Sequence, residues 1–144
     1  MDLMKKAAPV LDDMKVHVKL KIAALWTSLM LCYVYGDYFG LYKPGKLQGM
    51  LDGRMGPLGQ ITQNVLLGTA VLMAIPAVMV YMSVALKPSV NRWLNIILGA
   101  AYAAILLITM PGAWNFYIFL GFIEVALSLL IIWHAWTWPR REAT

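Results

Sequence analysis

Residues 115–138 read NFYIFLGFIEVALSLLIIWHAWTW, an apolar segment in which Glu124 is the one acidic or basic side chain apart from His134. A stretch of this length and hydropathy predicts a helix that crosses a membrane, since about 20 residues span the hydrocarbon core. The pattern recurs upstream, because residues 55–86 contain no Asp, Glu, Lys or Arg. Over all 144 residues, 61% are hydrophobic, 13% are charged and the mean hydropathy is +0.69. These values exclude most classes of water-soluble enzyme and binding module.

Four membrane spans are predicted, at residues 22–42, 61–86, 93–110 and 115–138. Prolines mark the breaks, with Pro44 after the first span, Pro88 after the second and Pro111 after the third. We therefore predict an all-α, integral membrane four-helix bundle. Its parts are a cytoplasmic lead-in at 1–21, a single transmembrane domain at 22–138 and a cytoplasmic tail at 139–144.

The connection between the first two spans, residues 43–60, mixes glycines with apolar side chains such as Leu47 and Met50. It is too apolar for a freely solvated loop. We expect a short interfacial helix or re-entrant segment there.

The Lys and Arg residues are distributed unequally between the two sides of the predicted bundle. Nine lie on the side of the termini and the loop between the second and third spans: Lys5, Lys6, Lys15, Lys19, Lys21, Lys87, Arg92, Arg140 and Arg141. The other three are Lys43, Lys46 and Arg54. The positive-inside rule then predicts that both termini are cytoplasmic. Because these residues flank apolar segments, the net charge of +5 does not indicate a nucleic-acid partner.

Tryptophans also gather near the predicted cytoplasmic side. We interpret Trp26, Trp93 and Trp133 among them as interfacial anchors, since indole rings favour the headgroup region.

Two acidic residues, Asp37 and Glu124, fall inside the predicted spans. An ionised side chain costs several kcal/mol in hydrocarbon, so such residues are candidates for function. Helical spacing places polar residues of each span on one face, directed at a shared bundle interior. The predicted ligand- or proton-binding residues are Glu124, Asp37, Gln63, Asn64, Tyr102, Tyr117 and Tyr33. We expect them to form an outward-facing polar pocket.

Two interpretations of Glu124 stay open. In the first, its carboxyl group binds or helps to transport a proton or a small hydroxylated or cationic molecule. In the second, it is protonated and hydrogen-bonded to Tyr33, Tyr102 or Asn64, and it stabilises the bundle. At the level of the whole protein, the alternatives are a non-catalytic accessory subunit of a larger membrane complex and a quinone-linked redox component.

The sequence contains no nucleotide-binding loop, catalytic triad, zinc motif or cysteine pair, and its single cysteine is Cys32. The two histidines, His17 and His134, do not form a paired site on facing helices. We assign no catalytic residue, no metal ligand and no cofactor. The expected partners are the lipid bilayer, a small-molecule ligand, and a homodimer or larger membrane complex.

Four segments resemble a family of small bacterial four-helix membrane proteins of unknown function: YVYGD at 33–37, GQITQ at 59–63, NRWLN at 91–95, and residues 117–138. The resemblance implies a multi-pass protein of the bacterial cytoplasmic (inner) membrane. It also implies a shared pattern of residues: Asp37, Gln60, Gln63, Asn64, Arg92 and Glu124. The layout is similar to that of DoxX-like membrane proteins, some of which are linked to quinone-dependent oxidoreductases, although function does not follow from fold.

Overall fold

The computed structural model describes residues 11–140, and the described chain is helical apart from its connections. The α-helices are α1 (Val18–Gly40), α2 (Lys46–Leu51), α3 (Gln63–Ala85), α4 (Pro88–Thr109) and α5 (Asn115–Trp136), with a 3-10 helix at Gly56–Leu58. Helices α1, α3, α4 and α5 are long and apolar enough to cross a membrane, at 22 or 23 residues each. The prediction of an all-helical chain with four such segments is confirmed. Lys5, Lys6 and Arg141 of the charge count lie outside the described residues.

The first helix begins at Val18, so the last residues of the predicted lead-in are helical. His17 precedes the helix, and its Nδ1 accepts a hydrogen bond of 3.2 Å from the backbone N–H of Lys19. The Lys19 ammonium donates to the carbonyls of Val84 and Leu86, at 3.0 and 2.7 Å. These bonds satisfy carbonyls at the end of α3 and hold the polar first turn of α1 against it. Hydropathy alone places this turn in the lead-in.

Helix α4 begins at Pro88 rather than at residue 93. Proline is favoured in the first helical turn because its missing N–H has no helical partner there. The other predicted span boundaries lie close to those of α3 and α5.

The four long helices are arranged as a ring in which α1 packs against α3 and α5, and α5 packs against α4. The remaining side of the ring, between α3 and α4, is sparsely packed. Aromatic contacts join α1 to α4, since the ring centroid of Tyr102 lies 6.1 Å from that of Trp26 and 6.4 Å from that of Tyr33. We call the end where α1 and α4 finish the loop end, and the end where α1 begins the terminal end.

A buried hydrogen-bonded network occupies the terminal half of the bundle. Trp26, Ser83, Asn91 and Asn95 are each 0% exposed. The indole N–H of Trp26 donates to Asn95 Oδ1 at 2.6 Å, and Asn95 Nδ2 donates to Asn91 Oδ1 at 2.6 Å. Asn91 Nδ2 in turn donates to the carbonyl of Ser83 at 2.6 Å. Each polar group therefore has a partner that offsets its removal from water.

The interpretation of Trp26 as an interfacial anchor is wrong, because its N–H is bonded inside this network. Trp93 and Trp133, by contrast, are 53% and 62% exposed.

The connection between α1 and α3 contains the short helix that the sequence predicts, α2. Its later part folds back on itself through bonds from Arg54 N to the Gly49 carbonyl, at 2.8 Å, and from Ile61 N to the Gly53 carbonyl, at 2.7 Å. Gly53 has a φ of +73°, a conformation that side chains with a Cβ rarely adopt. The segment thus satisfies much of its own backbone.

Candidate functional site

A cavity of about 210 Å³ lies among the four long helices, toward the loop end. Its lining residues are Tyr33, Gly36 and Asp37 of α1, Leu72 and Met73 of α3, Tyr102, Ile105, Leu106 and Thr109 of α4, and Tyr117 and Glu124 of α5. The structure therefore brings together five of the seven predicted site residues: Tyr33, Asp37, Tyr102, Tyr117 and Glu124.

The two acidic residues lie at different depths in this cavity. Glu124 is 4% exposed and lies nine residues after Asn115, about 13 Å along α5 from its start at the loop end. Asp37 is exposed and lies three residues before Gly40, about 4 Å from the corresponding end of α1. Asp37 thus lies near the loop end and Glu124 lies deep. None of the described residues that line the cavity is Lys, Arg or His, so any charge on these side chains is negative.

The tyrosine hydroxyls of the cavity have different partners. Tyr102 donates to the backbone carbonyl of Leu72, and the Tyr117 hydroxyl is 3.1 Å from that of Thr109. The Tyr33 hydroxyl is buried and has no hydrogen-bond partner within residues 11–140. None of the side-chain hydrogen bonds found in this part of the chain reaches the Glu124 carboxyl group. The predicted bond from Tyr102 to Glu124 is therefore replaced by one to the backbone of α3.

Gln63 and Asn64 lie outside the cavity lining and are exposed in the first turn of α3. Thr62 caps this turn, with its hydroxyl accepting a 3.2 Å hydrogen bond from the N–H of Val65. Although α3 packs against α1, that contact does not bury either amide. The structure thus separates them from the other five predicted residues.

The sequence interpretation missed the apolar walls of the cavity, including Leu72, Met73 and Ile105. One signal was available, because Pro76 cannot donate to the carbonyl four residues earlier, and that carbonyl belongs to Leu72. A polar partner for Leu72 could have been expected from Pro76 alone. Which residue supplies it depends on how α4 packs.

Within residues 11–140, no group of three or more His, Cys, Asp or Glu side chains is placed to hold a metal ion.

The helices and this cavity define a class: small helical proteins with four candidate membrane spans and acidic residues between the helices. More specifically, the chain belongs to the DUF6326 family, a family of unknown function whose model matches residues 12–144. This confirms the predicted membership of a family without an assigned function. No curated protein and no solved structure matches the chain. The DoxX-like layout and the bacterial origin stay predictions.

Proposed function

We propose that the chain is a multi-pass protein of a bacterial cytoplasmic membrane. Each long helix exposes large apolar side chains, for example Leu31 at 55%, Leu67 at 62%, Ile108 at 77% and Phe119 at 66%. Removing such surface from water is favourable by about 25 cal/mol per Å², and a bilayer removes it on every outward face. This pattern supports insertion of all four long helices.

The proposed orientation puts both termini in the cytoplasm. In the described chain the terminal end carries six basic residues: Lys15, Lys19, Lys21, Lys87, Arg92 and Arg140. The loop end carries three: Lys43, Lys46 and Arg54. This asymmetry supports a cytoplasmic terminal end and a loop end that faces outward.

Within this membrane protein, we propose that the loop-end cavity binds a small organic cation or a proton from the outer side, as a step in its transport. One observation carries the proposal: two carboxyl groups and three tyrosines line this cavity, and none of its described lining residues is basic. Glu124 would be the deep binding group, and Asp37 would be the first acid that an entering cation meets.

The burial of Glu124 explains why a cation is the expected ligand. An ionised carboxyl group in a poorly polar interior costs several kcal/mol unless a positive charge accompanies it. Bound protons and bound cations both remove that cost. Tyr33, Tyr102 and Tyr117 also line the cavity, and the face of an aromatic ring attracts cations.

The size of the cavity limits the ligand. Its volume of about 210 Å³ lies below the range of roughly 300–1,000 Å³ that is typical for drug-sized ligands. We therefore expect a cation of a few heavy atoms, such as a short alkylammonium ion.

The test is thermal unfolding of the purified protein in detergent, with n-butylammonium or tetramethylammonium as the probe and butan-1-ol as the uncharged comparison. A ligand that binds the folded state raises the unfolding temperature as its concentration rises above the dissociation constant. We expect the ammonium ions to raise it and the alcohol not to do so. Glu124→Gln should abolish this increase.

Asp52→Asn provides the matched control, because Asp52 is an exposed acid whose side chain accepts a 3.0 Å hydrogen bond from Gln48, away from the cavity. This variant should respond like the wild type. An increase that is the same in Glu124→Gln and in the wild type would refute binding of the ammonium ions at the cavity. The absence of any response to both ammonium ions would refute an organic cation as its ligand.

A further inference from the structure

A second cavity, of about 710 Å³, opens at the terminal end of the bundle. It lies where the starts of α1 and α4 meet the chain that follows α5. We propose that this basic cavity binds a phosphate ester, namely the headgroup of an anionic phospholipid. The lipid as the source rests on the membrane location proposed above, whereas the recognition of phosphate follows from the residues themselves.

The described lining of this cavity is positively charged. Lys19, Arg92 and Arg140 line the cavity together with His17, and none of the described residues that line it is Asp or Glu. Positive charges that line one space repel each other. An anion placed among them is attracted by each one, and this attraction offsets the repulsion. A group with one or two negative charges therefore suits the cavity.

Arg92 lies between two tryptophan rings. Its guanidinium carbon lies 5.7 Å from the ring centroids of both Trp93 and Trp136, and one terminal nitrogen approaches the Trp136 carbonyl at 3.5 Å. The two indole rings hold the guanidinium group in place, which reduces the entropy lost when an anion binds. Its Nε is buried and has no hydrogen-bond partner within the described chain. The terminal N–H groups of Arg92 that do not bond the Trp136 carbonyl can donate to phosphate oxygens.

The start of α4 also borders the cavity, where Ser89 is one of the lining residues. No side chain caps this helix, and its first helical backbone bond runs from Asn91 N to the Lys87 carbonyl. The amide groups that precede Asn91 in the turn have no helical carbonyl to bond. Such amides, with the positive end of the helix dipole, favour phosphate.

Size and location favour a lipid headgroup over free phosphate. The volume of about 710 Å³ exceeds what a single phosphate ion needs. Trp93 and Trp136, which are 53% and 59% exposed beside the cavity, are the kind of residue that lies at the headgroup level of a bilayer. The proposed cytoplasmic side is also the side on which anionic lipids attract basic residues.

The experiment is native mass spectrometry of the full chain in mild detergent, titrated with dihexanoyl phosphatidylglycerol, dihexanoyl phosphatidylcholine or inorganic phosphate. The two lipids have the same acyl chains and differ in headgroup charge. Wild-type protein should bind the phosphatidylglycerol at least tenfold more tightly than the phosphatidylcholine, and an excess of inorganic phosphate should not displace it.

The decisive variant is Ser89→Asp. An acidic side chain in the first turn of α4 interacts favourably with the helix dipole and so stabilises the helix, but it repels phosphate. This variant should fold normally and bind phosphatidylglycerol at least tenfold more weakly, whereas the uncharged Ser89→Asn should bind it like the wild type. Arg54→Gln removes an exposed basic residue outside this cavity and should also bind normally. Glu124→Gln should retain phosphatidylglycerol, which separates this proposal from the one about the loop-end cavity.

Two other outcomes would overturn part or all of this proposal. Tight binding of inorganic phosphate that competes with phosphatidylglycerol and is lost in Ser89→Asp would support the phosphate site and overturn the lipid as its source. Equal binding of the two lipids, unchanged in Ser89→Asp, would overturn the phosphate site itself.

Discussion

The hydroxyl group of Tyr102 on α4 donates a hydrogen bond to the backbone carbonyl of Leu72 on α3. This carbonyl lacks a helical donor because the residue four positions later is Pro76, which has no N–H. A buried carbonyl without a hydrogen bond is costly, so a donor on the side chain of a neighbouring helix takes the place of the missing N–H. The same bond fixes the Tyr102 ring at the wall of the loop-end cavity, and it links two helices that otherwise make few contacts.

A double-mutant cycle tests this relationship. Tyr102→Phe should lower the free energy of unfolding by about 1–2 kcal/mol, because it leaves the Leu72 carbonyl without a donor. In a Pro76→Ala background the new N–H bonds Leu72, so most of that loss should disappear. The measurement is unfolding of the four proteins in detergent. An equal loss in both backgrounds would show that Pro76 does not create the need for Tyr102.

The polar network at the terminal half predicts a larger effect. Asn95→Ala removes the acceptor of the Trp26 indole N–H and the donor to Asn91, leaving buried groups without partners. We expect a loss of about 2–4 kcal/mol, given that each unsatisfied buried group costs roughly 1–3 kcal/mol. Asn64→Ala is the matched control, because Asn64 is exposed, and its effect should stay within about 0.5 kcal/mol. Similar melting temperatures for the two variants would contradict the structural role of the network.

Much of the fold could be predicted because hydropathy and helical spacing depend on local sequence. The inward positions of Asn91, Asn95 and Tyr102 follow from their spacing on one helical face, and all three are buried. The same rule failed for Gln63 and Asn64. Spacing places residues on a common face, but whether that face is covered depends on the neighbouring helices. At the start of α3 both Gln63 and Asn64 stay exposed.

The environment of aromatic residues was harder to predict for a related reason. A tryptophan near the end of an apolar segment suits both an interface and a core, and sequence alone does not distinguish them. Trp26 belongs to the core because Asn95, distant in sequence, supplies its acceptor. The cavity was likewise predictable in its acids and tyrosines, whereas its apolar walls follow from tertiary packing.

Close packing of α4 against α5 gives a third prediction. A Cβ placed on Gly99 would lie 2.9 Å from Ile132 Cγ1 and 3.4 Å from the Ser128 carbonyl oxygen. Gly99→Ala should therefore destabilise the protein by about 1–3 kcal/mol, the usual range for overpacking. Gly68→Ala is the control, since a Cβ on Gly68 meets nothing within 4 Å. The comparison is made by thermal unfolding. A Gly99→Ala protein as stable as Gly68→Ala would contradict close packing of α4 against α5 at Gly99.

The proposed orientation can be tested by labelling single cysteines in intact bacterial cells. The native Cys32 is first replaced by serine, and Asp52→Cys or Ser89→Cys is then introduced at an exposed position of the loop end or the terminal end. A maleimide that does not cross membranes should label the Asp52→Cys protein in intact cells, and the Ser89→Cys protein only after lysis. The reverse pattern would place the termini outside the cytoplasm, against the distribution of basic residues.

The stability of Glu124→Gln distinguishes the two interpretations of this residue. If Glu124 stabilised the bundle through hydrogen bonds of its carboxyl group, the variant should lose about 1–3 kcal/mol. In the structure the nearby hydroxyls of Tyr102 and Tyr117 are bonded to Leu72 and Thr109 instead. We therefore expect Glu124→Gln to unfold at the same temperature as the wild type or at a higher one, because an uncharged amide is less costly than a carboxylate at this depth. Unfolding in detergent at neutral pH measures the difference. A substantial loss of stability would assign Glu124 a structural role and remove the main support for ligand binding.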